Sequence, residues 1–410
     1  MNKNFVTVFP GRRDHYEVPV ALNEAGLLDA FITDLYNDNR FLSQFLRITS
    51  FKSKIKQRFH SKLPKSKVQT KPYLFFYHSI LSNFFQPSKV TVWQDDLFGK
   101  LAVKLARKNK SNLFLYEFQA DYAFRQQFKH PCKKVLFYFH THPFWEHPLL
   151  LEDAEKYPSF HHQVLKNTRS NLAFRYSNHT KDAWKFADII ITASSCTKKS
   201  LLAVGADEKK IKVVPYGFSN LDITLSKQML NLKPSKPFFL FVGSGTQRKG
   251  LHHLCEAWKK SSLTQSHELI VVSRVMDEGM MDFIKLDTSI KLFTGLDKAT
   301  LIWHYKNALA FIMPSISEGF GQVYLEALAN GCAVIGTENS MLIDLPINKV
   351  VTLIPHGNID AIQNALETKA KDGMLSDEEK IAYRKALLQY CKLDTLAMVK
   401  ILHKLRELLS

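Results

Sequence analysis

Between positions 39 and 94 the chain has no aspartate or glutamate, yet Arg40, Arg47, Lys52, Lys54, Lys56, Arg58, Lys62, Lys65, Lys67, Lys71 and Lys89 all fall there. That stretch supplies a large part of the formal net charge of +18. Cysteine is scarce and unpatterned. The five thiols, Cys132, Cys196, Cys255, Cys332 and Cys391, are odd in number, and no two share the short spacing of zinc or redox motifs. A disulfide framework is excluded, and a reduced, cytoplasmic protein is expected. Long apolar runs are missing too, since no window approaches the ~18 residues of a spanning helix. The opening MNKNFVTVFPGRRDHYEV reaches Arg12 and Arg13 before an apolar run long enough for a signal peptide. Neither export nor a membrane span is expected.

What is present is an ordinary globular composition, 45% hydrophobic and 23% charged over 410 residues. That length suits two domains of roughly 150 to 200 residues better than one core. Beta-rich runs at 5–9, 89–93, 112–118, 134–140, 187–193 and 211–215 alternate with helical patterns, which predicts a doubly wound parallel sheet. A patternless stretch at 216–235 ends near Pro234 and Pro237 and reads as a linker. The pattern then restarts, with strands expected at 238–242, 268–272, 290–293, 308–313, 333–336 and 350–354 and a helix at 250–260. The expected fold class is α/β, two Rossmann-like domains facing a central cleft. We place one domain at 1–216, a second at 217–385 and a helix at 386–410 returning to the first domain.

In open α/β sheets ligands dock beyond the carboxyl ends of strands. After the strand at 308–313 comes PSISEGFGQ, in which Gly319 and Gly321 flank Phe320 just before a helix starting near Gln322. Free backbone N–H groups with a helix dipole behind them suit a diphosphate. Glu318 and Glu326 bracket the turn, and carboxylates accept well from sugar and ribose hydroxyls. A loop glutamate plus a first-turn glutamate favouring the dipole is the plainer alternative.

The whole run PSISEGFGQVYLEALANGCAVIGT at 314–337 resembles the Glu-x7-Glu motif of the retaining family 4 glycosyltransferases of the GT-B fold. PFFLFVGSGTQRKGLHHLCEAW at 237–258, KLFTG at 291–295 and the segment at 184–217 resemble further parts of that family, in the same order. The likeness is specific over about 183–345 and loose over 1–180. It implies that Lys249 meets donor phosphates, Glu326 the ribose and Glu318 the donor sugar, with the amides of Gly319, Phe320, Gly321 and Gln322 holding sugar or diphosphate. Where the family has arginine after Val-Gly this chain has Ser244, and Arg248 stands beside Lys249 instead. A guanidinium there suits a phosphate, and equally a plain surface position. GSGTQRKG fails the Walker pattern, because Arg248 stands where glycine must precede the lysine and no Ser or Thr follows. It fails the dinucleotide fingerprint as well, whose third glycine falls at Arg248.

The acceptor side and part of the catalytic apparatus are expected from the first domain, with Gly11, Arg12, Arg13 and Gln119 as cleft residues. The resemblance implies a histidine near the donor sugar. His140 and His142 are the candidates, with Gln119 competing for the place. No third ligand accompanies the two histidines, and Asp95–Asp96 precede a helical pattern that favours capping, so no metal is expected. No cofactor is expected either; a UDP- or GDP-sugar serves as co-substrate. The reaction implied is retaining transfer of that sugar to a hydroxyl of a saccharide or lipid-linked acceptor. A phosphorylase, a sugar-nucleotide hydrolase and a non-catalytic binding protein would use the same cradle. Finally, Phe41, Phe45, Ile48, Phe51, Ile55 and Phe59 recur at helical spacing among cations. Residues 39–94 are therefore expected to meet an anionic membrane surface, at its cytoplasmic face, although a core-packed helix would show the same pattern. No nucleic-acid-binding module accompanies the charge.

Overall fold

The computed structural model describes residues 4–37, 58–159, 182–216, 225, 226, 229, 231–345, 350–383, 385 and 387. Its first sheet is built from β1 (Phe5–Val8), β2 (Leu28–Thr33), β3 (Val68–Thr70), β4 (Asn112–Tyr116), β5 (Lys134–Tyr138), β6 (Ile189–Thr192) and β7 (Ile211–Val213). They lie in the order β3-β2-β1-β4-β5-β6-β7, with every pairing parallel. The second contains β8 (Phe238–Val242), β9 (Glu268–Val272), β10 (Ile290–Phe293), β11 (Ala310–Met313), β12 (Val334–Thr337) and β13 (Val351–Ile354). Its order is β10-β9-β8-β11-β12-β13, again parallel throughout.

Parallel strands covered on both faces bury nearly every side chain, which is why β8 is the unbroken apolar run FFLFV. Alternation survives in β4 and β5 as a division of labour. Phe114, Tyr116, Val135 and Phe137 join a core that continues into the second sheet, through Phe241 and Phe320. Leu113, Leu115, Leu136 and Tyr138 join a second core under the helix Pro87–Asn109.

That helix overturns one expectation. The run KVTVW at 89–93 reads as a strand, but it forms the first turns of Pro87–Asn109. Val90, Phe98, Ala102, Val103 and Ala106 are buried at spacings that a single helix face requires, and Pro87 sits in its first turn. Tertiary burial over 23 residues outweighs the local β-preference of five. Strand β4 stops at Tyr116, where a helix Glu117–Phe124 starts, rather than running to 118. The strands of the second sheet stand within two residues of their expected places. The expected helix over 41–59 and the terminal helix at 386–410 lie, but for residues 58, 59 and 387, outside the described residues. Among the described residues no helix is long and apolar enough to cross a membrane.

Candidate active site

The loop leaving β11 turns at Gly321, whose φ of +83° an L side chain rarely adopts, and enters the helix Gln322–Ala329. Backbone contacts fix the loop from every side. Ile316 N–H donates to the Arg248 carbonyl at 2.9 Å, Glu318 N–H to the Asn339 carbonyl at 2.9 Å, and Tyr324 Oη–H to the Met313 carbonyl at 2.8 Å. Gly319 meets the first domain with no room to spare, because a β-carbon there would stand 2.2 Å from the Phe139 carbonyl oxygen. Its own carbonyl accepts from the Ser194 hydroxyl and, at 3.1 Å, from Thr197 Oγ1. The two domains therefore touch at the loop.

At the centre lies Glu318, 8% exposed. Its carboxylate pairs with the Lys249 ammonium and takes a longer contact, 3.4 Å, from Arg248 Nη1, which also donates to the Ser317 carbonyl at 2.9 Å. Burial alone would push the Glu318 carboxyl up, but the charges of Lys249 and Arg248 outweigh it and hold it at about 2. Burial pulls the Lys249 ammonium below its ordinary value in spite of that partner. Glu326 sits one turn into the helix and accepts from Tyr305 Oη–H at 3.3 Å; burial raises its carboxyl. Gln322 and Ser244 are exposed, and Ser244 offers its carbonyl to Thr246 N–H at 2.8 Å. The Phe320 ring turns inward and packs edge-on against Tyr216 at 5.1 Å, leaving its backbone to the loop.

From the first domain His140 reaches this place. It follows β5, stands beside Gly319, and pairs through Nδ1 with the buried carboxylate of Glu117. Its ring rests on Phe139 at 4.2 Å. His142 does not come to the site. It is buried, stacks on Tyr138 at 6.0 Å and caps the helix Pro143–Lys156 by accepting from Phe144 N–H at 3.2 Å. Gln119 is also corrected, since its side chain turns away from the cleft to donate to Asp95 at 2.6 Å in the interior. Gly11, with φ +92°, donates its N–H to Asp34 at 2.9 Å, and Arg12 is exposed. Arg13 lies 3.7 Å over the Phe139 ring and 3.6 Å from Asp14. The backbone after it is tightly wound, with Asp14, His15 and Tyr16 all at positive φ.

Several neighbours escaped the sequence reading. Asp14, its carboxyl raised by burial, accepts from Tyr216 at 3.1 Å. Ser317 Oγ meets Thr141 Oγ1 at 2.7 Å and Glu146 at 2.8 Å, across the domain boundary. Ser195 N–H donates to Asp344 at 2.8 Å, and Gln247 Nε2 to the Leu150 carbonyl at 2.7 Å. Tyr216 carried a usable signal, the VPYG that ends the first half; the hydroxyl residues carried none.

Residues 222–386 match the family described as Glycosyl transferases group 1. Among curated proteins it is similar to the capsular polysaccharide biosynthesis glycosyltransferase CapM of Staphylococcus aureus, 27% identical over 208 residues, 46% of this chain and 54% of that protein. It is also similar to the O-antigen chain mannosyltransferase RfbU of Salmonella typhimurium, 28% identical over 157 residues, 36% of this chain and 41% of that one. The chain thus spans about half the length, or less, of the curated relatives it matches. Among solved structures, sucrose-phosphate synthase from Thermosynechococcus elongatus superposes with a TM-score of 0.60 at 16% identity, covering 98% of this chain and 99% of that one. WaaG, a glycosyltransferase involved in lipopolysaccharide biosynthesis, gives 0.51 at 13% identity, with 95% of each chain covered. Identities this low speak for the fold alone, and with the two parallel sheets they give the chain the GT-B architecture.

Proposed function

We propose that this protein is a retaining, metal-independent glycosyltransferase of the family 4 type, moving a sugar from a UDP- or GDP-sugar to a hydroxyl of a saccharide or lipid-linked acceptor in surface polysaccharide or glycolipid synthesis. The observation that carries this reading is the buried Glu318 flanked by Lys249 and Arg248, at the mouth of a helix N-terminus and opposite His140. As the bond from the anomeric carbon to the phosphate oxygen breaks, its electron pair leaves with the nucleoside diphosphate. Lys249, Arg248 and the amides at Gly319 to Gln322 stabilise that charge. The acceptor oxygen bonds to the anomeric carbon from the face the leaving group vacates, and its proton passes to the departing phosphate. Glu117 at Nδ1 keeps an N–H on that side of His140 and leaves Nε2 to accept from a sugar hydroxyl. Glu318 then serves sugar hydroxyls and Glu326 the ribose.

Turnover with a panel of UDP- and GDP-sugars, run with and without a chelator, tests this. Lys249→Ala is expected to lower kcat/KM by roughly 10²–10³-fold, and the product should keep the donor's anomeric configuration by NMR. An inverted product, or full activity in both Lys249→Ala and Glu318→Ala, sinks the reading. Sugar release that ignores the acceptor would make the protein a hydrolase.

A cytoplasmic, membrane-surface location finds support in the helix Pro72–Leu81 and the turn after it. Tyr73, Phe76, Tyr77 and Ile80 are exposed there, as are Phe84 and Phe85 at 78% and 62%. Exposed aromatic patches of this kind mark interaction surfaces. Lys65, Lys67, Lys71 and Lys89 flank them in sequence, each worth about 1 kcal/mol near an anionic bilayer. Sedimentation with anionic vesicles should fall several-fold in a Phe84→Ser/Phe85→Ser variant. Equal recovery with neutral and anionic vesicles at low salt removes the proposal.

A further inference from the structure

Away from Glu318, the domain boundary holds a second group of polar side chains that the transfer reaction does not use. Asp153, near the end of the helix Pro143–Lys156 of the first domain, projects between His252 and His253, which open the helix Leu251–Lys260 of the second. His253 Nε2 lies 2.6 Å from Asp153 Oδ1 and His252 Nε2 lies 3.1 Å from the same carboxylate. All three residues are buried, both imidazoles completely. One ligand atom from each lies within 4.8 Å of the other two.

The arrangement is more than a polar contact between helices. The two imidazoles stand with ring centroids 3.8 Å apart, edge-on to Tyr157 at 5.3 and 5.1 Å. His253 Nε2 and Asp153 Oδ1 stand at direct ion-pair distance, so both rings close on the one carboxylate. Two fully buried imidazoles gathered on one buried carboxylate are the ligand types that transition metals take. Gln247 Nε2 donates to Asp153 Oδ2 at 2.9 Å. A hydrogen-bonded second oxygen of this kind orients a metal-ligating carboxylate.

We propose that Asp153, His252 and His253 form a binding site for a borderline divalent transition metal, zinc in the first instance, which ties the two domains together. Two imidazole nitrogens and one carboxylate oxygen are a nitrogen-rich set that hard cations such as Ca²⁺ and Mg²⁺ do not favour. Ligand bonds of about 2.0–2.2 Å in a tetrahedral site require His253 Nε2 and Asp153 Oδ1 to part by roughly 0.8 Å. One ligand comes from the first domain and two from the second. A bound ion would therefore favour the closed arrangement and slow any step that needs the domains to part. It would act as a clamp, with no part in bond cleavage.

The test uses the full chain, stripped with chelator and equilibrated with Zn²⁺ at about pH 7.5. Metal analysis is expected to find about one equivalent bound, a higher melting temperature, and a roughly 100-fold or greater loss of affinity in Asp153→Asn and His253→Ala. His267→Ala, which lies outside the group, should keep wild-type binding. Equal zinc uptake by the wild type, Asp153→Asn and His253→Ala overturns the site. Should those variants fail to fold by circular dichroism, Co²⁺ added to the unaltered chain decides. Intense visible absorption from four-coordinate cobalt supports the site, and the weak absorption of six-coordinate cobalt overturns it. No nucleotide sugar is present in these measurements, so their outcome is independent of the transferase reading.

Discussion

Asp95 shows what a single buried carboxyl does to the pH response of this protein. Desolvation pushes it up to about 7, against the hydrogen bond it accepts from Gln119. An unfolded aspartate ionises near 3.9, so between about 4 and 7 the folded chain holds a proton that the unfolded chain has released. Stability contributed at this site therefore falls as pH rises through that window. Asp95→Asn cannot ionise, and its melting temperature relative to the wild type should climb between pH 5 and pH 8, by an equivalent of about 2–4 kcal/mol. A difference that stays flat with pH refutes the assignment. The same residue explains why Gln119 was misplaced: its partner lies 24 positions away, on a helix whose first turns local sequence presents as a strand. Glu318, Gly319 and Lys249 were legible because their chemistry is local, a loop and a helix start. His140 and His142 were indistinguishable, since only the point where the chain turns decides which one caps a helix.

At the scale of elements, continuous apolar runs such as FFLFV and AFIM announced the second sheet almost to the residue. β2 was missed because Asp29 interrupts its apolar run, accepting there from Asn109 and Ser111, and β3 because three residues carry no period. The helix Pro87–Asn109 packs so closely on Glu117–Phe124 that a β-carbon at Gly99 would stand 2.7 Å from the Gln119 carbonyl oxygen. No alternation of apolar residues reveals such a contact. Gly99→Ala, normally favourable inside a helix, should here destabilise by about 1–3 kcal/mol in urea titration. A stabilised variant would mean that the two helices part more easily than their contact suggests.

For the molecule as a whole the two sheets could be read from pattern, but their meeting could not, because much of it rests on hydroxyls, backbone carbonyls and one glycine, which carry no pattern. Ser194 and Thr197 hold Gly319, and Thr141 and Glu146 hold Ser317. Removing both donors to Gly319 in Ser194→Ala/Thr197→Val should weaken closure by about 1 kcal/mol per bond. We expect a larger radius of gyration in solution scattering and, on the proposed reaction, a greater share of donor lost to water. Unchanged scattering with unchanged partitioning would show that other contacts hold the domains. The Gly319 carbonyl accepts from those hydroxyls as main chain, whatever side chains surround it. That one contact asks little of the sequence on either side beyond small hydroxyls and a glycine. On the proposed reaction, the first domain could then change its acceptor while the second stays seated, with no redesign of this part of the hinge.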